Sequence, residues 1–399
     1  MLVALDGIRV LEVGPSLAAH YVGRQLAQMG AEVLKVEPPT GDPSRRRGPY
    51  VRDVPHQDGS ALFLYLNVGK RGITLETSTA TGSEILGRLA ADSDIVLWGG
   101  DPQVGQSIAS SARSSDRTAV WMLISPYGAA GPHAGWAAHG LNIFYTGGEG
   151  YMLPGGLGWL AYPDREPIKA AGYASEFAAG DSMVAAALVA LMMYDGSRGP
   201  VIVDSSIQDS LLQLVRSEHL MYRDRGLVSS RALRSTLIAG QMPASDGWVE
   251  LNPTAPGMVD KVFEWAGRPE WTKEFPTFQV QRVNGGKITE LLSGWVASQS
   301  REHLYREGQK RGVAIGPVLS PSEILVDPQM EARSFFIEID HPYAGRLKYP
   351  LVPYHFAGGE TTSVPAPAPL LGQDNVEVIQ EQLGFSRRDL VALYEAAII

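Results

Sequence analysis

The first hydrophobic run, Ile8 to Val13, is rich in β-branched residues and closes on Gly14-Pro15. Ser16 then stands as the cap of a segment whose apolar positions, Leu17, Tyr21, Val22, Leu26 and Met29, follow helical spacing until Gly30. Val33 to Val36 reads as a second strand, so the first forty residues predict strand–helix–strand, the opening of a parallel sheet. The alternation continues. Ile73 to Leu75 predicts a strand and Gly82 to Ala90 a helix; Ile95 to Trp98 and Val120 to Ser125 predict two further strands. This pattern predicts an α/β, Rossmann-like parallel sheet.

From 126 to 175 the texture changes to loops rich in glycine, proline and aromatics. Gly147 to Gly150 and Pro154 to Gly158 read either as covers over a site or as a surface excursion. Glu176 to Tyr194 predicts one long helix, too apolar all round to lie at the surface. Val201 to Val203 follows as a strand and Ile207 to Met221 as a helix. Residues 225–325 are more polar, with a hairpin near Asp246 to Glu250, and predict a second, smaller domain. The division expected is 1–224 for the first part of the large domain, 225–325 for the small α+β domain, and 326–399 for a Pro-rich return and the closing helix from Arg387 to Ala397.

Composition narrows the chemistry. The chain has 399 residues and a net charge of −9, which argues against broad binding to nucleic acid or to an anionic membrane. It has no cysteine, so disulfides, thiolate metal sites and cysteine nucleophiles are excluded, and a reducing cytoplasm suits it. The N-terminal run carries Asp6 and Glu12 and no basic lead, unlike a signal peptide. The most apolar stretch, Met183 to Met193, lies between Asp181 and Asp195 and falls short of the ~20 residues of a membrane span; a soluble chain is expected.

Common motifs are missing. Gly14-Pro15-Ser16-Leu17-Ala18-Ala19 lacks the later glycines of a dinucleotide fingerprint, and Asn67-Val68-Gly69-Lys70-Arg71 has the wrong spacing for a phosphate loop. No GxSxG, HExxH or other metal-ligand pattern occurs, so no metal is expected. Two basic sites remain, Arg45-Arg46-Arg47 and Lys70-Arg71, either of which suits a phosphate-bearing ligand beside a parallel sheet or is solvated charge.

Several segments, in order along the whole chain, resemble the class III CoA-transferase family, which includes formyl-CoA, carnitine and benzylsuccinate CoA-transferases and the α-methylacyl-CoA racemases. They are Leu5 to Glu12 (LDGIRVLE), Leu26 to Pro38 (LAQMGAEVLKVEP), Gly41 to Arg45 (GDPSR), Asn67 to Leu75 (NVGKRGITL) and Ile124 to Pro132 (ISPYGAAGP). Further on come Asp204 to Ser210 (DSSIQDS), Gly312 to Leu319 (GVAIGPVL), Asp327 to Gln329, Ala368 to Gly372 (APLLG) and Glu381 to Gly384 (EQLG).

The resemblance implies a large domain built from both chain ends, a small domain between them, and two subunits threaded through each other. It implies CoA thioesters and free carboxylic acids as substrates, with no tightly bound cofactor. It also implies a nucleophile. The family's transferases carry an aspartate in an A-D-x-x-x-G stretch that opens a long apolar helix, and the corresponding stretch is Ala174 to Gly180, with Glu176 at the acid position. Glu176 has the same functional group on one more methylene, which moves the reacting oxygen by about 1 Å. It also reads as a plain helix-terminal acid, favoured there by the helix field. Asp181 lies five residues on, roughly 140° around the helix at 3.6 residues per turn.

The racemase branch pairs that acid with a histidine in a stretch like H-D-I-N; His139-Gly140-Leu141-Asn142 matches in the His and the Asn. His139 therefore reads as an orienting group, an acid/base for an α-proton, or a structural histidine. The family's E-N-F-x-P-G segment, whose side chains line CoA, is replaced by Leu97 to Gly105 (LWGGDPQVG), and the arginine after K-x-E by Pro38. That leaves Arg45, Arg46, Lys70 and Arg71 as the expected cationic hold on CoA. Trp136, Tyr145 and Trp159 are candidates for an aromatic acyl tunnel. The reading that follows is a class III acyl-CoA:carboxylate CoA-transferase, as a homodimer or as one of two related subunits. The alternatives are an α-methylacyl-CoA racemase and a non-catalytic partner subunit.

Overall fold

The structure is a computed structural model that describes residues 4–111, 117–155, 158, 162–196, 199–232, 238–355 and 365–399. Six parallel strands form the main sheet: β1 (Arg9–Val13), β2 (Glu32–Glu37), β3 (Arg71–Thr74), β4 (Ile95–Trp98), β5 (Val120–Ser125) and β6 (Val201–Ser206). Their order is β3-β2-β1-β4-β5-β6, so the sheet reverses direction of growth between β1 and β4. In such sheets the crevice beyond the strands' C-terminal ends at that switch point is where ligands bind.

Alternate residues of each strand enter different cores. Val10, Ile95, Leu97, Val120, Met122 and Ile124 pack on one face with helices α1 (Leu17–Gln28) and α6 (Ala174–Met193). Leu11, Val13, Val96, Trp98, Trp121 and Leu123 pack on the other, with α3 (Ala80–Ala91) and α4 (Pro102–Ser110). Because both faces are covered, β4 and the first five residues of β5 are apolar at every position rather than at every second one. Helix α2 (Ala61–Asn67), helix α5 (Gly140–Thr146) and helix α7 (Ile207–Leu212) complete the elements that matter for the site. The C-terminal segment returns to β3: the Gly72 N–H donates to Asp374 at 2.6 Å, and the Glu76 N–H to the Ile398 carbonyl at 2.7 Å.

The chain divides into two compact units. The larger holds Met1–Gly147, Ala170–Leu214 and Pro328–Ile399; the smaller holds Gly148–Lys169 and Val215–Asp327. The smaller unit has its own three-stranded antiparallel sheet, β7 (Gly240–Ala244), β8 (Gly247–Leu251) and β9 (Ile315–Pro317), over a core that includes Val259, Phe263, Ile288 and Leu292. The boundary falls inside the single helix expected from Ile207 to Met221, which is two helices, α7 and Arg216–Arg225, broken at residues 213–215. The stretch from Gly148 to Lys169 belongs to the smaller unit, where Glu149–Met152 makes one tight turn; Gly156 and Leu157 lie outside the described residues.

Helix α6 departs from expectation. It is long and apolar enough by length and composition to cross a membrane. Its residues Ala179, Met183, Ala187 and Ala190 are buried in the core of the large unit. Its far end, however, is exposed: Val189, Met192 and Met193 are 55%, 86% and 66% accessible. The absence of a polar stripe had predicted burial all round; in the single chain only one face is covered.

Candidate active site

The loops after β1 and β4 meet at the switch point with almost no space between them. A Cβ on Gly14, whose φ is +95°, would stand 2.7 Å from the Gly100 nitrogen, and a Cβ on Gly99 would stand 2.7 Å from that of Ser16. Only glycine allows this approach. Over it lies a cavity of about 220 Å³, lined by Pro15, Ser16, Leu17, Arg47, Gly99, Gly100, Ile124, Pro126, Ala138, His139, Gly140, Glu176 and Ile207. Arg47 follows the tight turn Pro43–Arg46 after β2, Ile124 is in β5, and the others follow the C-terminal ends of β1, β4, β5 and β6 or stand at the starts of α1, α5, α6 and α7, all within the large unit.

Glu176 sits in the first turn of α6 and is 9% exposed. Its Oε2 is buried without a hydrogen-bond partner among the described residues. Such an atom is costly unless something it binds supplies the partner. The helix is positioned by close packing: Phe177 stacks near Tyr21 at 4.7 Å and near Tyr65 at 5.8 Å, and a Cβ on Gly180 would meet the Tyr21 ring at 2.6 Å. Asp181 is turned away toward α1, where it accepts from Gln25 Nε2 at 2.5 Å, and it does not line the cavity. Burial and the nearby Tyr65 and Asp181 push the Tyr21 hydroxyl up to about 12.

His139 is the residue before α5, and its N–H donates to Asn142 Oδ1 at 3.3 Å, so the His-x-x-Asn spacing is a helix-start device. The His139 residue lines the same cavity as Glu176. The two acid/base candidates expected from the sequence are thus brought together.

The expected cations are not. Arg45 is 1% exposed and spends all five N–H donors inside the protein: on Glu37 through Nε and one terminal nitrogen at 2.7 Å each, on Asp58 at 2.7 Å, and on the Gln57 and Pro369 carbonyls. Its guanidinium also lies 3.6 Å above the Phe63 ring. Lys70 is 3% exposed and spends its three donors on Glu12 (2.7 Å), the His20 carbonyl (2.8 Å) and Asn67 (3.0 Å). Arg46 is exposed and donates to the Thr40 and Gly41 carbonyls. Arg71 begins β3 and borders a different cavity, with Arg9 and Glu32, at the opposite end of the strands, facing Glu377 at 3.0 Å. The expectation that Arg45 and Lys70 hold phosphates is corrected by their geometry: neither has a donor to give. Arg71 is at the wrong end of the sheet for this cavity.

Arg47 lines the cavity instead. The tight turn Pro43–Arg46 ends before it, and its extended backbone (φ −109°, ψ 126°) directs the third arginine differently from the first two. Nothing in three consecutive arginines distinguishes them. The turn's bounds do.

One buried ionic cluster joins β1, β2 and α1. Glu12 and Lys35 are register partners and lie 3.1 Å apart. His20 Nδ1 is 2.8 Å from Glu12 and its Nε2 3.0 Å from Asp42. A Cβ on Gly23 would stand 2.1 Å from Glu12, so the helix carries glycine where the strand carries the acid. Burial raises the Glu12 carboxyl, but Lys70, Lys35 and His20 outweigh it and hold it well below the usual range. Asp42 is likewise held low, by Lys35 and His20 against its burial. Burial pushes Lys70 down to about 8, against the pull of Glu12.

The segment that replaces the family's CoA-lining side chains is closed on itself. Asp101 caps α4 through the Gln103 N–H at 2.8 Å, Trp98 Nε1 donates to the Asp101 carbonyl at 2.7 Å, and Gly105 packs under the Trp98 ring. The proposed aromatic tunnel is not assembled at the cavity: Trp136 is 57% exposed beside His133, Tyr145 is exposed, and Trp159 lies outside the described residues. Among the described residues no His, Asp and Glu group has a metal-binding arrangement.

A family profile described as CoA-transferase family III matches residues 5–375. The chain belongs to CoA-transferase family III. It is 28% identical to a succinyl-CoA–D-citramalate CoA-transferase of Chloroflexus aurantiacus, over 99% of this chain and 98% of that one. It is 26% identical to a formyl-CoA:oxalate CoA-transferase of Streptomyces avermitilis, over 99% of both. Among solved structures it is similar to a CAIB/BAIF family protein from Brucella suis, with a TM-score of 0.79, 26% identity, and coverage of 95% of this chain and 99% of that one. In this CoA-transferase family member the acid at the start of α6 is a glutamate, and the cavity's cation is Arg47.

Proposed function

We propose that this chain is an acyl-CoA:carboxylate CoA-transferase whose nucleophile is Glu176. The observation that carries the reading is the carboxylate itself: buried, with one oxygen unpartnered, in a small cavity at the sheet's switch point. A Glu176 oxygen attacks the thioester carbonyl carbon, the C–S bond breaks, and CoA leaves as thiolate. The thiolate then attacks the glutamyl carbonyl of the mixed anhydride, releasing the first acid as carboxylate and leaving a glutamyl-CoA thioester. The acceptor carboxylate opens that thioester to a second anhydride, and the returning thiolate takes the new acyl group and frees Glu176. No proton is consumed. His139 orients the acyl oxygen beside the anhydride. The exposed aliphatic end of α6 supports a dimer, in which that stripe is covered.

Because His139 lines the same cavity, α-proton exchange on an acyl-CoA is the second reading. One experiment separates them. A panel of acyl-CoAs and free acids is incubated in D2O and read by mass spectrometry. CoA exchange without α-deuteration, lost in Glu176→Gln, and a hydroxylamine adduct on Glu176 are the expected results. Full activity in Glu176→Gln, or the adduct on Asp181, overturns the assignment.

A further inference from the structure

We propose that His20 is a positioning residue for this cavity: as a doubly protonated imidazolium it clamps Glu12 of β1 to Asp42, whose turn sets Arg47 in the wall. The inference rests on the transferase reading for its kinetic readout alone.

His20 is fully buried in α1, and its two ring nitrogens face two different carboxylates. Nδ1 lies 2.8 Å from Glu12 Oε1, and Nε2 lies 3.0 Å from Asp42 Oδ2. Burial raises both carboxyls, but the cations around them outweigh it, so each is ionised and can only accept. A neutral imidazole has a single N–H and would turn a lone pair on one of the two acids. Only the imidazolium satisfies both.

Charge balance points the same way. Glu12 and Asp42 are paired with Lys35 and Lys70, while Glu37 and Asp58 share Arg45. Glu37 also accepts from the Asp42 N–H at 2.9 Å, which joins the two groups into one buried network. Among the described residues it holds four carboxylates against three Lys or Arg cations, and the second proton on His20 brings the sum to zero. His56 beside Asp58 adds no charge there, since its Nδ1 accepts from the Asp58 N–H at 3.1 Å. Lys35 Nζ opposes the imidazolium from 3.1 and 3.3 Å. It lies 3.1 Å from Glu12 and 3.4 Å from Asp42, however, so the same two carboxylates hold both cations.

The clamp reaches the cavity through short links. The second oxygen of Asp42 accepts from the Ser44 N–H at 2.8 Å, and its carbonyl accepts from the Arg45 N–H at 3.0 Å. The turn closes with the Arg47 N–H on the Ser44 carbonyl at 3.2 Å, and Arg47 lines the cavity. Glu176 stands on α6, outside this chain of contacts. Losing the clamp therefore moves the wall and leaves the nucleophile in place.

The test uses the full-length protein with 15N-labelled histidine at pH 7.5, a unit above the ordinary histidine value of about 6.5. NMR should show two protonated ring nitrogens for His20, assigned by their absence from the double variant His20→Gln/Asp42→Asn. His20→Gln alone leaves Asp42 short of a counter-charge. It should raise KM about tenfold, keep kcat within about threefold, and speed amide exchange over residues 43–47 read by mass spectrometry. The double variant removes a negative charge together with the positive one and should bring KM and exchange most of the way back. Where His20→Gln alone does not fold, the nitrogen signature and the double variant decide. A singly protonated His20 overturns the inference. So does His20→Gln with wild-type KM and wild-type exchange at 43–47, or a double variant impaired as badly as the single one. The expected nitrogen signature and exchange pattern in a protein that transfers CoA to no acid support the clamp and overturn the transferase reading instead.

Discussion

A Cβ on Gly140 would stand 2.4 Å from Oε1 of Glu176. The glycine is a notch for the acid. In the racemase-like H-D-I-N stretch the residue after the histidine carries a side chain; in this chain that position is empty and the facing acid is one methylene longer than the aspartate of the resembled transferases. The two departures compensate in space. Gly140→Ala should therefore displace the carboxylate and lower CoA transfer roughly a hundredfold, since about 1 Å of misplacement has that effect. Its Tm should be unchanged or slightly raised, because alanine is the better helix former. Gly140→Ala combined with Glu176→Asp should recover part of the loss. A Gly140→Ala enzyme with wild-type kcat would show that Glu176 does not need the notch.

The buried cluster predicts the acid limb of stability. The carboxyls of Glu12 and Asp42 lie lower in the folded chain than their ordinary 4.5 and 3.8. As pH falls through those ordinary values the unfolded chain takes up protons first, so stability present in full above about pH 5 is lost below it. Each such carboxylate contributes a slope of about 1.4 kcal/mol per pH unit. Urea unfolding from pH 7 to 3 should show this, and Glu12→Gln should remove one carboxylate's share while costing about 3–5 kcal/mol at pH 7, because Lys35 and Lys70 stay buried without it. Where that variant does not fold, Asp42→Asn gives the same slope test. Lys70 acts in the same sense at high pH. Its folded value of about 8 against 10.5 means the unfolded chain keeps a proton the folded one has released, so its contribution rises between those values.

The central strands were legible because they are apolar on both faces: the runs at 95–98 and 120–125 are β4 and β5 to the residue. The start of α1 was legible through Ser16 and its end through Gly30, whose φ is +101°. The apolar run from Ile207 gave no sign of the break at 213–215, because the boundary between the two units falls there and local periodicity does not register it. At the site, Glu176 and His139 were readable from their surroundings in the resembled family. Arg45 and Lys70 were misread because charge in a sequence does not show whether a partner is waiting; Glu37, Asp58 and Glu12 lie 8, 13 and 58 residues away.

His139 discriminates between the two chemistries its position allows. If it only orients, His139→Ala should keep CoA exchange within about tenfold of wild type, and wild type should place no deuterium at the α-carbon. Acting as acid/base, it would supply about 10²–10⁴-fold, and His139→Ala would abolish α-exchange from one enantiomer of the thioester. Single-turnover CoA exchange and α-deuteration, measured on the same samples, decide between them.

Arg45→Ala should change stability rather than affinity. The side chain holds Glu37 through two hydrogen bonds and Asp58 through a third, both partners being buried, and ties the return segment at Pro369 to the loop at 41–47. Removing it leaves two buried carboxylates without their counter-charge, at a cost of about 3–5 kcal/mol. Arg45→Lys keeps a positive charge but cannot hold both oxygens of Glu37 and reach Asp58 as well, so it should recover only part of that. In the folded fraction of either variant, CoA titrated at low and high salt should give the wild-type affinity, whereas a phosphate contact at this residue would make that affinity fall and lose its salt dependence. Thermal unfolding together with calorimetry therefore separates the two roles. A variant that melts with wild type but no longer binds CoA would put Arg45 back at the ligand, and would require its five internal hydrogen bonds to open when CoA arrives.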